Sequence, residues 1–466
     1  MRQILFFINT SIYFSGLIET GEMLNRESNF KPIFYFSVYY PLIHQDISVC
    51  QKENIDYILG FKNITSKIVT LNKNTFYKDN YRQTLKNLLL NLYGFFFIGL
   101  IYEFIDYYFE FKKVKKLIQS NKIGLVILGG DNISNSPIVV KICHNMKIPV
   151  IIIPNWMVSG YLEAAEAAYN NPMHDCKNLF NNITGNLFPK WAYKYKNKKL
   201  LKWPAFKIWI IKLFGLEPPL PWVLHSGYAD KIFVESQGMY DCMIQEGLPK
   251  NEIILTGSLR NDNFFKILMN FNKSRKRLYK NLGFQNNLPL IICALPPNQL
   301  YGYGRSECEF RNYDSLVEFW IKSLARVRGY NIVISLHPSE DYEKMKYIEK
   351  WRVKIFQGVL SEIIPLCDIF VASISSTIQW AIACGKPVLN YDVYKYNYTE
   401  FAMVDGVITI SKKNEFINYL KKLTGDKLFY DRIELYQKEH MKDWVVLDGK
   451  SQERMLKLFN KFINKN

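Results

Sequence analysis

Histidine is scarce in this chain, six in 466 residues, and His44, His144, His174, His225 and His440 show no metal-ligand spacing. The eight cysteines, at 50, 143, 176, 242, 293, 308, 367 and 384, include no Cys-x-x-Cys pair. A zinc site or dithiol redox motif is therefore not expected, no metal or cofactor is predicted, and the cysteine usage fits a reducing cytosol. There is no low-complexity tract and no repeat at a solenoid period. No RNA- or DNA-binding signature occurs, so no nucleic-acid partner is expected. The apolar run that opens the chain is cut by Asn9, Thr10 and Ser11 before a signal-peptide core is complete, and it reads as a buried strand. Acidic residues are outnumbered: 42 Asp and Glu against 60 Lys and Arg give a net charge of +18, which favours an anionic partner such as a nucleotide phosphate or an acidic membrane surface.

What is present is ordinary globular material, 48% hydrophobic and 22% charged, with 15% aromatic residues. Short runs rich in Ile, Val and Phe recur along the chain without polar alternation, as strands buried on both faces do. They fall at 3–8, 32–38, 67–71, 124–128, 149–153, 231–234, 252–255, 288–293, 331–336, 353–356, 369–372, 387–391 and 407–410. The intervals suit crossover helices, so the fold class is α/β with parallel βαβ units in two Rossmann-like domains. The polar, basic stretch 270–287 sets a boundary near residue 280. This divides the chain into an N-terminal domain (1–280), a second domain (281–449) and a C-terminal helix (450–466) that crosses back to the first.

Two insertions, 85–118 and 187–221, are aromatic and apolar with lysines at their flanks. The first contains LLLNLYGFFFIGLIYEFIDYYFEF, followed by Lys112, Lys113, Lys115 and Lys116. The second mixes Trp203, Phe206, Ile208, Trp209, Ile211 and Phe214 with Lys199, Lys202, Lys207 and Lys212. Each reads either as a helix in an anionic membrane interface or as a core or cleft-lining helix.

The chemistry-bearing stretch is 331–392. A strand ends in His337-Pro338-Ser339. A later strand, 367–373, leads into Ile374-Ser375-Ser376-Thr377, a short helix, Gly385-Lys386-Pro387 and another strand. Ligands of open α/β sheets bind beyond the carboxyl ends of the strands, where His337 and Ser375–Thr377 both fall. Hydroxyls and amides at a helix start suit a phosphate, and His337 can donate to a second phosphate oxygen. Taken singly, the same residues also read as a helix N-cap and a turn.

This ordered set, with Leu255-Thr256-Gly257-Ser258-Leu259-Arg260-Asn261-Asp262 ahead of the boundary, resembles GT-B glycosyltransferases of the UDP-N-acetylglucosamine 2-epimerase-like superfamily. The closer likeness is to bacterial surface-polysaccharide transferases of the sialyl-, polysialyl- and Kdo-transferase kind and to CDP-glycerol-type polymerases. The resemblance implies two domains facing across a cleft, with the donor nucleotide mainly in the second. It implies transfer from a UDP-, GDP- or CMP-activated sugar to a surface glycan or lipid-linked acceptor, inverting and metal-independent, at the cytoplasmic face of the inner membrane. The donor site would draw on His337, Pro338, Ser373, Ser375, Ser376, Thr377, Pro296, Asn298 and Arg260. Gln299, Arg305, Asp392, Tyr394 and Glu400 are further candidates. His337 and Asp131 are the catalytic candidates: Asp131 follows Gly129-Gly130 at a strand end, although it also reads as a helix N-cap. Glu19, Glu22, Glu163 and Glu166 read more simply as exposed helix residues. The first loop lacks the arginine of the 2-epimerases, and Gln379 and Trp380 stand where acids are expected, which favours a transferase over the alternatives, an epimerase or hydrolase and a polyol-phosphate transferase.

Overall fold

The computed structural model describes residues 2–27, 29–40, 42–61, 95–132, 135–154, 161–169, 171–284, 288–300, 308–337, 339–397, 399 and 401–464. The strand expected at 67–71 lies outside them. Two compact units divide the chain. Met1–Val234, Tyr240–Ile254 and Glu453–Asn466 form the first, and Glu235–Met239 and Leu255–Gln452 the second.

The first unit holds β1 (Arg2–Ile8), β2 (Phe30–Phe36), β3 (Asp56–Leu59), β4 (Ile123–Leu128), β5 (Val150–Ile152), β8 (Lys231–Val234) and β9 (Ile253–Leu255), the intervening β6 (Ala192–Tyr195) and β7 (Lys198–Leu201) forming a separate antiparallel pair. The sheet order is β3-β2-β1-β4-β5-β8-β9, and every register given for it is parallel. Ile4, Leu5, Phe6 and Ile8 of β1 have no exposure, because helices cover both sheet faces. Phe6 stacks on Phe34 of β2 at 4.6 Å, and Phe14 from the helix Ser11–Asn25 meets Phe34 edge-on at 5.5 Å.

The second unit holds β10 (Leu290–Ala294), β11 (Asn331–Ser335), β12 (Lys354–Phe356), β13 (Ile369–Ala372), β14 (Val388–Tyr391) and β15 (Val407–Ile410), in the order β12-β11-β10-β13-β14-β15. This is the doubly wound order, whose direction of winding reverses between β10 and β13. On one face Trp320, Tyr391 and Phe416 pack with centroids 5.0–5.7 Å apart, all without exposure. Truncating one of these rings to alanine costs about 3–5 kcal/mol.

The basic stretch at 270–287 is not a linker. Its helix, Phe271–Leu282, is anchored inside the second unit, where Arg275 reaches Asp368 at 2.6 Å and Tyr279 donates to the carbonyl of Leu288. The division therefore falls near residue 255, ahead of that helix. The final helix, Ser451–Asn464, buries Phe459 against Phe233 of β8 at 5.5 Å, in the first unit.

The insertions resolve into helices with different faces. Residues 85–94 lie outside the described set; Phe96–Ser120 is one helix. The helix Ala205–Leu213 buries Ala205, Phe206, Ile208, Ile210 and Ile211, so most of its apolar surface is core rather than interfacial. Gly99 makes that packing possible: a Cβ there would stand 2.8 Å from the Phe206 ring. Among the described residues no helix is long and apolar enough to cross a membrane.

Candidate functional site

The site is built from three loops at the carboxyl edge of the second sheet. Ile334, Cys293 and Val371 stand side by side in β11, β10 and β13, so the loops that follow begin at one level. Donor groups at the carboxyl ends of strands, as His337 and Ser375–Thr377 read from the sequence, would be expected on neighbouring strands. The structure instead puts β10 between them, two strand spacings or about 10 Å across. They flank the end of β10 rather than converge on one point.

The loop after β13 is a tight turn. Ile374 has φ of 41°, a left-handed value that a β-branched residue adopts only under constraint. The constraint is Asn390 at the end of β14, 1% exposed, whose Oδ1 accepts the Ile374 amide at 2.8 Å and whose Nδ2 donates to Thr409 at 3.1 Å. The Ser375 and Thr377 hydroxyls lie 2.8 Å apart, and Ser373 Oγ accepts the Val393 amide at 3.4 Å. Ser376 is exposed, and its hydroxyl has no hydrogen-bond partner among the described residues. The helix that follows, Ile378–Ala383, is short, and its first amides donate back to the carbonyls of residues 375–377. The helix start is therefore not open, and what this edge presents is the turn with its hydroxyls.

His337 is exposed, and its tautomer is set by its surroundings. The Ser339 amide donates to Nδ1 at 3.1 Å, and the Ser339 hydroxyl lies 2.7 Å from the same nitrogen. An amide can only donate, so Nδ1 is bare and the proton sits on Nε2. Desolvation pushes the imidazole below its ordinary value, with Glu340 acting against it. The group is thus a neutral Nε2–H donor near pH 7.

The loop after β10 is tied from both sides. The Asn298 amide donates to Glu340 at 3.3 Å, the Gln299 amide to the Tyr394 hydroxyl at 3.3 Å, and the Tyr396 hydroxyl to the Gln299 side chain. Pro296 is buried, and its carbonyl accepts from Tyr313 at 2.8 Å. It shapes the loop and offers no side-chain contact. Asp392 is 3% exposed and takes the amides of Tyr396 and Asn397, at 3.0 and 2.7 Å, so it organises its own loop rather than facing a sugar. Tyr394, 4% exposed, does likewise through the Pro297 carbonyl. Arg260 stacks on Trp380 at 4.5 Å, which fixes a positive charge against the helix after the 373–377 turn. Asp262, in the same segment, accepts the Ser451 and Gln452 amides at 3.0 and 2.9 Å and caps the final helix. Pro338, Arg305 and Glu400 lie outside the described residues.

In the first unit the corresponding edge is closed around Asp131. Gly129 has no room for a side chain, since a Cβ would lie 2.0 Å from the Tyr13 ring. Asp131 is 0% exposed. One carboxylate oxygen takes the Ser226 amide at 2.6 Å and its hydroxyl at 3.0 Å, the other the amides of Tyr228 and Ala229 at 2.7 and 3.1 Å. Asn132 adds bonds to the carbonyls of Pro221 and Val223. This corrects the expectation of a catalytic base: a buried carboxylate with both oxygens engaged cannot reach an acceptor hydroxyl, and its work is to clamp 221–229. Nor is it a helix N-cap. His225 lies within that clamp, 2% exposed, and burial lowers its pKa to about 4. Glu22 sits late in a helix that starts at this edge and runs away from it, paired with Arg26 at 3.7 Å. Glu19 is half-buried one turn earlier. The side chains of Glu163 and Glu166 are outside the described set.

Sequence reasoning missed Asn390, Glu340 and Asp262 as organisers. Asn390 carried a signal, a lone amide in the apolar strand 388–391, and such residues stay buried only with partners.

Neither a protein family model nor a curated protein matches the sequence. Solved structures do match the fold. The glycotransferase of kitacinnamycin aligns with a TM-score of 0.54 at 9% identity, covering 99% of this chain and 98% of that one. The UDP-GlcNAc 2-epimerase from Neisseria meningitidis bound to UDP-GlcNAc aligns with a TM-score of 0.50 at 13% identity, over 100% of both chains. The S. aureus MnaA–UDP co-structure aligns with a TM-score of 0.50 at 12% identity, over 100% of this chain and 97% of the other. At such identities the likeness is one of fold, and with its two parallel α/β units this chain has the GT-B-type fold of epimerase-like sugar-nucleotide enzymes and glycosyltransferases.

Proposed function

We propose that the protein is a nucleotide-sugar-dependent glycosyltransferase that works without a metal and inverts the donor's anomeric centre. The observation that carries this is the strained turn 373–377, whose exposed Ser376 stands beside the switch point of the doubly wound sheet, with the Nε2–H of His337 across β10. Two donor groups separated by a strand suit the diphosphate of a UDP- or GDP-sugar better than the single phosphate of a CMP-sugar. The bond from the sugar's anomeric carbon to the phosphate oxygen breaks, and the acceptor hydroxyl forms the new bond to that carbon and releases its proton to solvent water. The electron pair departs with the nucleoside diphosphate. Ser375, Ser376, Thr377 and His337 offset the charge that develops there, and Asn298 and Arg260 are further donor-site candidates in this reading. The fold neighbours solved with UDP or UDP-GlcNAc support this class of donor.

The acceptor in this reading is a surface glycan or a lipid-linked one, met at the cytoplasmic face of the inner membrane. The excess of basic residues and the aromatic helices of the first unit support that setting. Incubation with a panel of UDP-, GDP- and CMP-sugars, with mass spectrometry of the products, tests the proposal. Nucleotide release that depends on an added glycan acceptor supports it. Donor turnover without acceptor supports an epimerase or hydrolase instead, and transfer of a phosphoalcohol a polyol-phosphate transferase. Absence of binding to every donor overturns all three.

A further inference from the structure

A groove of about 570 Å³ runs between the edge strand β3 and the helix Phe96–Ser120 in the first unit. Ile58, Leu59 and Phe109 make it apolar, and Lys112, Lys113 and Lys116 line it with charge. Tyr35 also lines it, 2% exposed, with a hydroxyl that has no hydrogen-bond partner among the described residues. Gly60 leaves room for that hydroxyl, since a Cβ there would lie 2.3 Å away. Glu110 pairs with Lys113 at 3.1 Å, whereas Lys112 and Lys116 are exposed, Lys112 lying 4.3 Å from the Tyr108 ring centroid.

The helix is apolar on its outer face as well as its inner one. Phe97, Ile101, Ile105 and Phe109, one turn apart in succession, are 67%, 59%, 49% and 64% exposed. Leu179, Leu187 and Leu213 are exposed on the neighbouring helices 179–187 and 205–213. An apolar surface of this extent marks an interaction site. The lysines beside it point to the partner. They repel a second copy of the same face and attract a negatively charged surface, and an aromatic stripe ending in lysines is the pattern of a helix seated in a membrane interface.

We propose that this face docks on an anionic lipid bilayer. The Phe97–Phe109 stripe enters the acyl boundary, and the groove holds the phosphate of one lipid headgroup between Lys112, Lys116 and the Tyr35 hydroxyl. This rests on the membrane setting of the function proposed above and is independent of the donor site in the second unit.

Flotation of the full chain with phosphatidylcholine vesicles, with and without phosphatidylglycerol, is the test, with UDP binding measured on every variant. The expected result is salt-sensitive flotation only with phosphatidylglycerol. Lys112→Gln with Lys116→Gln weakens partitioning about thirtyfold, at roughly tenfold or less per lysine. Ile105→Ser with Phe109→Ser also abolishes flotation, and both double variants bind UDP as the parent does. Protein that binds UDP but ignores phosphatidylglycerol vesicles overturns the docking and leaves the donor site standing. Vesicle binding without UDP binding does the reverse. Unchanged flotation of the lysine double variant, competition by free glycerol phosphate at the same affinity as the lipid, or a dimer that Ile105→Ser with Phe109→Ser dissociates would each overturn the lipid assignment.

Discussion

The side-chain oxygen of Asn390 holds the amide of Ile374 at 2.8 Å, and this one bond fixes the left-handed turn that presents Ser375, Ser376 and Thr377. Both partners sit at the carboxyl ends of adjacent strands, β14 and β13. Replacing Asn390 with alanine leaves the Ile374 amide without its acceptor and the turn without its constraint. Asn390→Ala is expected to lose about 1–3 kcal/mol in urea unfolding and to weaken UDP binding. Asn390→Asp keeps the acceptor and retains more of both. Calorimetric titration on the two variants checks this.

Ser376 makes no contact that the fold needs, so Ser376→Ala leaves the melting temperature where it is. If its hydroxyl binds phosphate, the affinity for UDP drops about tenfold, the scale of one hydrogen bond to a charged group. His337→Gln keeps a donor but cannot take up a proton. A bound phosphate favours the imidazolium, so the affinity gap between the parent and His337→Gln widens as pH falls below neutrality. A constant gap from pH 5 to 8 contradicts a phosphate-facing His337.

Asp131→Asn tests the role given to the first unit's edge. Four donors point at the two oxygens of Asp131, and an amide in its place turns its own donors towards some of them. The variant loses at least about 2 kcal/mol of stability, while turnover per folded molecule is maintained. A fall in turnover of several hundredfold with unchanged stability would restore Asp131 as the base.

His225 gives the stability of the first unit a pH dependence. Its imidazole titrates near the ordinary 6.5 when unfolded and near about 4 when buried. Between those values the unfolded chain holds the extra proton, so stability rises with pH across the window and is lost as pH falls through it. The full loss below pH 4 is about 3 kcal/mol. His225→Leu should flatten this acid limb between pH 6.5 and 4 in unfolding experiments. An identical slope in parent and variant counts against a buried neutral imidazole.

The sequence reveals strands best where both faces are covered. The run 369–372 coincides with β13 to the residue, because burial on both sides leaves no polar position to blur the ends, and 407–410 coincides with β15 although Thr409 in that edge strand is exposed. The edge strand β3 begins at an exposed Asp56 and escaped the same reading, as did the lysine-rich hairpin β6–β7. The loops carrying His337 and Ser375–Thr377 were legible because each follows its strand directly. Their organisers were not, since Asn390, Glu340 and Tyr394 act through contacts that only the strand order creates. Asp131 was misread for a related reason: an acid after two glycines at a strand end looks the same whether it faces a ligand or clamps a distant loop.

Hydrogen exchange with and without saturating UDP tests the central claim most directly. The account predicts that protection gathers in the second unit at 295–300, 337–340 and 373–377 and disappears in the Asn390→Ala variant. Protection confined to the first unit, or none with UDP, GDP or CMP, would contradict it.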